Sequence, residues 1–222
     1  MHNNGLHGFN FNLDLGSVNL GTISSPAYEA VASGTSVNYP AGIAAGDLGV
    51  ICYGGYDGAN DRAESYFAPP AGYSLLARAY FESGAASICT FIATKTLDGT
   101  EVSESFPAVD TSREVALMNW KATAGGIWIQ GDGENSSGLP PPALTMNAPA
   151  GTAPVAFIGM GLTLSGAPAT DISMTGTPVY ISNALVRIGS EAIASASSGS
   201  RVITHTNGGF PGLLCSGYIS RA

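Results

Sequence analysis

Lysine is almost missing from this chain. Only Lys95 and Lys121 are present, among 8 Lys and Arg residues set against 16 Asp and Glu, for a formal net charge of −8. Nucleic-acid binding needs a basic stripe whose counterions are released, and anionic membranes attract polybasic clusters, so this balance excludes both partner classes. Charged residues of either sign make up only 11% of the sequence. A charge-poor, lysine-poor surface suits contact with other protein, because lysine is depleted at protein interfaces.

Other absences narrow the class further. No apolar run approaches the roughly 18 residues that a membrane-spanning helix requires. Met1-His2-Asn3-Asn4-Gly5 lacks the basic flank and apolar stretch of a secretory signal, so the mature chain is expected to begin here. Cysteines number three, and Cys52, Cys89 and Cys215 each sit inside an apolar run, where a small buried hydrophobe is the expected role. There is no Cys-x-x-Cys, and His2, His7 and His205 are scattered, so neither a zinc site nor any other cofactor is expected.

Recognisable catalytic motifs are absent as well: no nucleophile elbow, no P-loop, no dinucleotide fingerprint and no His-Glu-x-x-His. The chain therefore reads as non-enzymatic. A glycan hydrolase would need two carboxylates flanking a sugar, and Asp57, Asp61, Glu64, Glu101, Glu104 and Asp110 are the acids in loops or strand ends. Spacing selects no pair among them, and solvated loop carboxylates are the simpler reading. Asp57-Gly58-Ala59-Asn60-Asp61 and Asp132-Gly133-Glu134-Asn135 offer hard oxygens on turns, yet neither follows the EF-hand loop pattern.

What is present is an echo. Val37-Asn38-Tyr39-Pro40-Ala41-Gly42-Ile43-Ala44 returns 109 residues later as Met146-Asn147-Ala148-Pro149-Ala150-Gly151-Thr152-Ala153, with Asn, Pro, Ala, Gly and Ala in the same five places. A β-prone run follows each copy, Leu48 to Tyr53 and then Val155 to Met160. This spacing is too wide for a solenoid. It fits one sandwich of two duplicated sheets, or two small sandwiches packed together.

Gly, Pro and Ser punctuate short apolar runs throughout, which predicts an all-β chain, an antiparallel β-sandwich of jelly-roll-like type built from two related halves. Strands are expected near Ser74–Phe81, Ser87–Lys95, Glu114–Lys121, Val179–Ile188, Arg201–His205 and Leu213–Ile219. Gly54 to Asp61 reads as a loop, and Glu191-Ala192-Ile193-Ala194 as one possible helical turn. The expected organisation is an extended N-terminal arm (1–33), a first β half (34–125), a Gly/Pro-rich join (126–143) and a second β half (144–222). In the arm, Phe9-Asn10-Phe11-Asn12-Leu13-Asp14-Leu15 alternates strictly, so Phe9, Phe11, Leu13 and Leu15 form one apolar face that needs a sheet, from its own domain or a neighbouring subunit. Most aromatics fall in expected strands or beside turns and read as packing; as a glycan platform the first suspects are Tyr56, Tyr66 and Trp128.

Three segments in order carry a resemblance: Gly46-Asp47-Leu48 opening a strand, Pro69-Pro70-Ala71-Gly72-Tyr73 as a turn, and Phe91 to Glu101 ending in Asp98-Gly99-Thr100-Glu101. The order resembles a family of tailed-phage proteins that follow a pattern like GDL, PPAGW, YK and DGTE, and it covers residues 35 to 120 best. Tyr73 stands where the pattern commonly has Trp, and Thr94-Lys95 where Tyr-Lys is common. The resemblance implies a location in the virion more than a reaction. The expectation is a structural virion component, foremost a capsid decoration or cement protein whose arm clamps neighbouring subunits. Its partners would be the major capsid protein or tail proteins together with further copies of itself. The alternatives are a tail fibre or spike, and a carbohydrate-binding receptor-recognition module.

Overall fold

Fifteen strands and two short 3-10 turns make up the regular structure among the described residues. The computed structural model describes residues 20–31, 36–39, 41–84, 86–107, 109, 112–122, 128–138, 141–149, 155–163, 169–182, 185–193, 199–206 and 212–221. In chain order the strands are β1 (Leu20–Val31), β2 (Ser36–Asn38), β3 (Leu48–Asp57), β4 (Ser74–Ser83), β5 (Ala86–Thr96), β6 (Ser103–Ser105), β7 (Ser112–Ala122) and β8 (Trp128–Gly138). They continue as β9 (Leu144–Asn147), β10 (Val155–Thr163), β11 (Ile172–Met174), β12 (Val179–Ser182), β13 (Val186–Ile193), β14 (Ser200–His205) and β15 (Gly212–Arg221).

All pairings are antiparallel, and they repeat. The first large sheet runs β1-β7-β3-β5-β4 and the second, read from its other edge, β8-β15-β10-β13-β12. Each half also owns a small sheet, β2-β6 in the first and β9-β14 extended by β11 in the second. The small sheets share a register: Asn38 faces Ser103 as Asn147 faces Ser200. A 3-10 turn leads in each half to a buried apolar residue, Glu64–Tyr66 to Phe67 and Ala169–Asp171 to Ile172.

The residues sort into layers by strand parity. Leu48, Val50 and Cys52 of β3, with Ile88 and Ile92 of β5, face Ala156, Ile158, Met160 and Leu162 of β10 and Leu213, Cys215 and Ile219 of β15 in one central core. The opposite face of the first sheet, with Ile51, Tyr53, Cys89 and Phe91, is covered by Val37 and Tyr39 together with Phe67 and Phe106. The outer face of the second sheet carries Val155, Phe157 and Tyr218 under Met146 and Met174. Two half-sandwiches thus pack large sheet to large sheet, which joins the two arrangements the echo allowed. Strands β3 and β10 are central and buried along both faces, so they read as near-continuous apolar runs.

Several sequence expectations are corrected. Residues 20–31 of the expected arm pair with β7 inside the chain's own first sheet, while Phe9, Phe11, Leu13 and Leu15 lie outside the described residues. The stretch 126–143, expected as a join, contains β8, an edge strand paired with β15. Its glycines mark close approach rather than a turn: the Tyr218 ring crowds the position of a Cβ on Gly131, and the Leu76 carbonyl of the first half crowds that of Gly133. Gly54 to Asp57 continue β3, because Gly54 leaves room for Val186 across the central layer, where a Cβ would meet Val186 Cγ2 at 2.5 Å. The Val179–Ile188 strand is two, β12 and β13, and Glu191 to Ile193 is strand rather than helix.

Candidate interaction surface

The three segments that carry the phage-family resemblance converge at one end of the first half. Gly46 N donates to Leu97 O at 2.8 Å and Leu97 N to Asp47 O at 2.8 Å, tying the start of β3 to the end of β5. Asp47 is buried, and its carboxylate accepts Ala44 N at 2.9 Å. Gly99 has φ +88°, and a side chain there would strike the Ala44 and Ala45 backbone. Asp98 Oδ1 accepts the Thr100 amide and hydroxyl at 2.8 and 2.6 Å, and Glu101 accepts the Asp98 and Gly99 amides, each at 3.0 Å.

Lys95 closes this corner. Its Nζ lies 3.3 Å from Glu101 and 3.8 Å from Glu104, and 5.8 Å from the centre of the Tyr73 ring. The Tyr39 hydroxyl donates to Glu104 Oε1 at 2.6 Å and sits 2.6 Å from the Tyr73 hydroxyl. Burial raises both tyrosines above the ordinary phenol range, and their neighbouring carboxylates add to it. Partial burial alone would raise Glu101; the Asp98, Glu101 and Gly99 amides and Lys95 outweigh it and hold the carboxyl below its usual range. The motif residues are thus mutually satisfied and hold a turn against the sheet.

A second polar cluster anchors the loop after β3. Asp57, fully buried, accepts Asn60 N at 3.1 Å and Asn60 Nδ2 at 2.8 Å, and pairs with Arg62 Nε at 3.1 Å. The Arg62 guanidinium lies 4.6 Å from the Tyr66 ring centre, and the Tyr80 hydroxyl donates to Arg62 O at 2.5 Å. An arginine therefore occupies the place beside Asp57 that a calcium ion would need. The other calcium-like stretch, Asp132 to Asn135, lies within β8.

The acids weighed for glycan hydrolysis fall at separate places. Asp57 is held by Arg62, Glu64 pairs with Arg78 at 2.8 Å, Asp61 is exposed, and Asp110 lies outside the described residues. Glu101 and Glu104 do come together, on Lys95, with side chains only 7% and 16% exposed. Among the described residues no group of three His, Cys, Asp or Glu converges as a metal site.

The suspected glycan contacts do not form one strip. Tyr56 packs against the central core, whereas Tyr66 packs on the outer face, edge-on to Phe67 at 5.4 Å between ring centres. Trp128 opens β8, its backbone paired with Arg221 at the end of β15. Instead Tyr56, Ile88 and Phe81 form a row across β3, β5 and β4, with Phe81 39% exposed. The alternation of β4 alone could have flagged Phe81.

The second half answers the Lys95 corner with the charges exchanged. In the first half, Lys95 near the end of β5 meets Glu104 of β6; in the second, Glu191 near the end of β13 meets Arg201 of β14. Arg201 Nε to Glu191 Oε2 is 2.5 Å and Nη2 to Oε1 is 3.0 Å, a bidentate pair supported by the Thr177 hydroxyl at 3.1 Å. Glu104 faces Val37 beside Asn38, and Arg201 faces Met146 beside Asn147, so the two stand at corresponding positions of the echo. Neither pair was singled out from the sequence, although basic residues are so few that each invites a partner search.

No protein-family model matches the chain, and comparisons with curated proteins and with solved structures returned no match.

Proposed function

We propose that this protein is a non-enzymatic structural component of a bacteriophage virion, a capsid decoration or cement protein that binds the major capsid protein and further copies of itself. The observation that carries the reading is the convergence of the phage-family motif on one satisfied corner: Asp47, Asp98, Glu101 and Lys95 hold a turn. A motif of that kind marks a scaffold. The clamping contact is assigned to Phe9, Phe11, Leu13 and Leu15 on their alternation in the sequence alone, and residues 20–31 in β1 follow them in the first sheet.

The test is co-sedimentation of the purified chain with empty capsids of its own particle, after its mass is measured by light scattering. Saturable binding at a fixed ratio, lost when residues 1–19 are removed, supports the decoration role. A stable trimer that ignores capsids moves the assignment to a tail fibre or spike. One observation favours a second reading, receptor recognition of glycans: the row that ends in half-exposed Tyr56 and exposed Phe81. Binding to a glycan array that disappears in Phe81→Ala would establish it.

A further inference from the structure

A duplicated chain faces a hazard that an unrelated pair of halves does not. Each small sheet can dock on the wrong large sheet of a second chain, because the elements correspond; within one chain the six residues between β5 and β6, and between β13 and β14, are too few to carry a small sheet to the opposite outer face. The echo makes the risk concrete: β2-β6 and β9-β14 share a register, and β2 and β9 each run into the same Asn-x-Pro-Ala-Gly sequence. The apolar cover differs between the halves, Val37 and Tyr39 in the first against Leu144 and Met146 in the second, and charge adds a discriminator that apolar residues lack.

We infer that the exchanged ion pairs, Lys95 with Glu104 and Glu191 with Arg201, are the residues that make each small sheet specific for its own large sheet. Natively the first half sets a cation on the large sheet against an anion on the small one, and the second half sets the reverse. Crossing the halves brings Lys95 to Arg201 and Glu191 to Glu104. Both crossed contacts are like-charged, and both lie in mostly buried surroundings: side-chain exposure is 25% and 16% for the first pair and 11% and 17% for the second. At such exposure a like-charge contact is screened far less than on open surface. Repulsion against the wrong partner is how specificity is commonly obtained when the attractive contacts are similar.

Other groups at these corners bear on the contrast. Glu101 stands beside Lys95, so a crossed Arg201 would leave Glu191 and meet an anion as well as a cation, which makes Glu191 against Glu104 the stronger of the two repulsions. On the second side Thr177 donates to Glu191 and the Arg201 guanidinium lies 5.3 Å from the Phe157 ring centre, both of which fit the native charge order.

The experiment equalises the polarity without removing the pair. Glu191→Lys with Arg201→Glu gives the second half the charge order of the first, so native pairing survives and crossed pairing becomes attractive. The expected result is a folded protein with near wild-type spectra whose refolding yield, measured by dilution from urea at rising protein concentration, drops several-fold as species larger than those of the wild type at the same concentration appear in light scattering. Adding Lys95→Glu, Glu104→Arg and Glu101→Gln restores the difference between the halves and is expected to restore the yield. Should the double variant not fold, Glu191→Gln with Arg201→Gln removes the like-charge contacts while keeping a side-chain hydrogen bond, and the same loss of yield is expected. Refolding of the folded double variant, or of this neutral pair, that matches wild type at every concentration overturns the inference. So does a fully reversed variant that refolds as poorly as the double one, since the pairs would then matter only as local contacts.

Discussion

The two halves share a plan but fill it differently. The outer core of the first half is aromatic: Tyr53 stacks on Phe91 at 4.8 Å and on Phe106 at 6.0 Å, with Phe67 tilted against it at 6.4 Å. In the second half Phe157 and Tyr218 meet at 6.5 Å, and Met146 and Met174 occupy the rest. Stacked rings fix one geometry, whereas methionine adapts to the space available. The first half carries the motif corner, the anchored loop and the exposed Phe81, so rigidity and candidate contact surface coincide.

The sharpest way to break this comparison is to empty each outer core in turn. Phe91→Ala and Phe157→Ala should each lower stability by about 3–5 kcal/mol, the usual range for a buried phenylalanine. If the central core couples the halves, both variants keep a single urea transition, with circular dichroism and tryptophan fluorescence coinciding. Separate transitions would mean that the halves unfold independently. A smaller loss, about 1–3 kcal/mol, is expected from Gly54→Ala, whose new methyl group presses on Val186 from the other sheet. Because that strain lies between the halves, Val186→Ala should recover part of it.

How much of this could be read from the sequence depended on what each glycine was doing. Apolar runs on both faces announced β3 and β10, and the Asn-x-Pro-Ala-Gly echo announced the duplication. Gly131 and Gly133, by contrast, carry turn composition yet sit in a strand, because a ring and a carbonyl from distant segments need the space of a side chain there. Close approach and turning leave the same residue in the sequence, and only the partner separates them. The motif corner was legible as a pattern, but its chemistry was not: Tyr39 and Glu104 are 65 positions apart and meet only once β2 pairs with β6. Thiol burial was legible from the flanking apolar residues. Desolvation pushes the Cys215 thiol up to about 12 and raises Cys52 and Cys89 further beyond the ordinary thiol range, so all three should resist labelling at pH 8 until the chain unfolds.

The exchanged ion pairs sharpen the comparison at lower energy. Glu191 holds Arg201 in two bonds, so Glu191→Gln should lower stability by about 1.5–3 kcal/mol, the range for hydrogen bonds to charged groups. Glu104→Gln leaves Tyr39 an acceptor and Lys95 its contact with Glu101, so about 0.5–1.5 kcal/mol is expected. Equal losses in paired urea titrations would show that the second half's bidentate geometry adds nothing.

The smallest effect is expected from acid. The Arg201 hydrogen bond holds the Glu191 carboxyl below the usual carboxylate range, and the Thr100 hydroxyl and amide do the same for Asp98 beside Glu101. A carboxyl whose folded pKa lies below its unfolded value binds fewer protons in the folded chain, so it stabilises above the unfolded pKa of about 4. That stability is lost as pH falls through the lower, folded value. Both halves should therefore weaken below about pH 4, the second through Glu191 and the first through Asp98 and Glu101. Urea midpoints measured between neutral and strongly acidic pH should fall less steeply in Glu101→Gln and in Glu191→Gln than in the wild type, after correction for each variant's neutral-pH stability. A wild-type slope left unchanged by Glu101→Gln would mean that Lys95 and the turn amides hold the corner whether or not that carboxyl is charged, and the first half's acid sensitivity would then rest on Asp98.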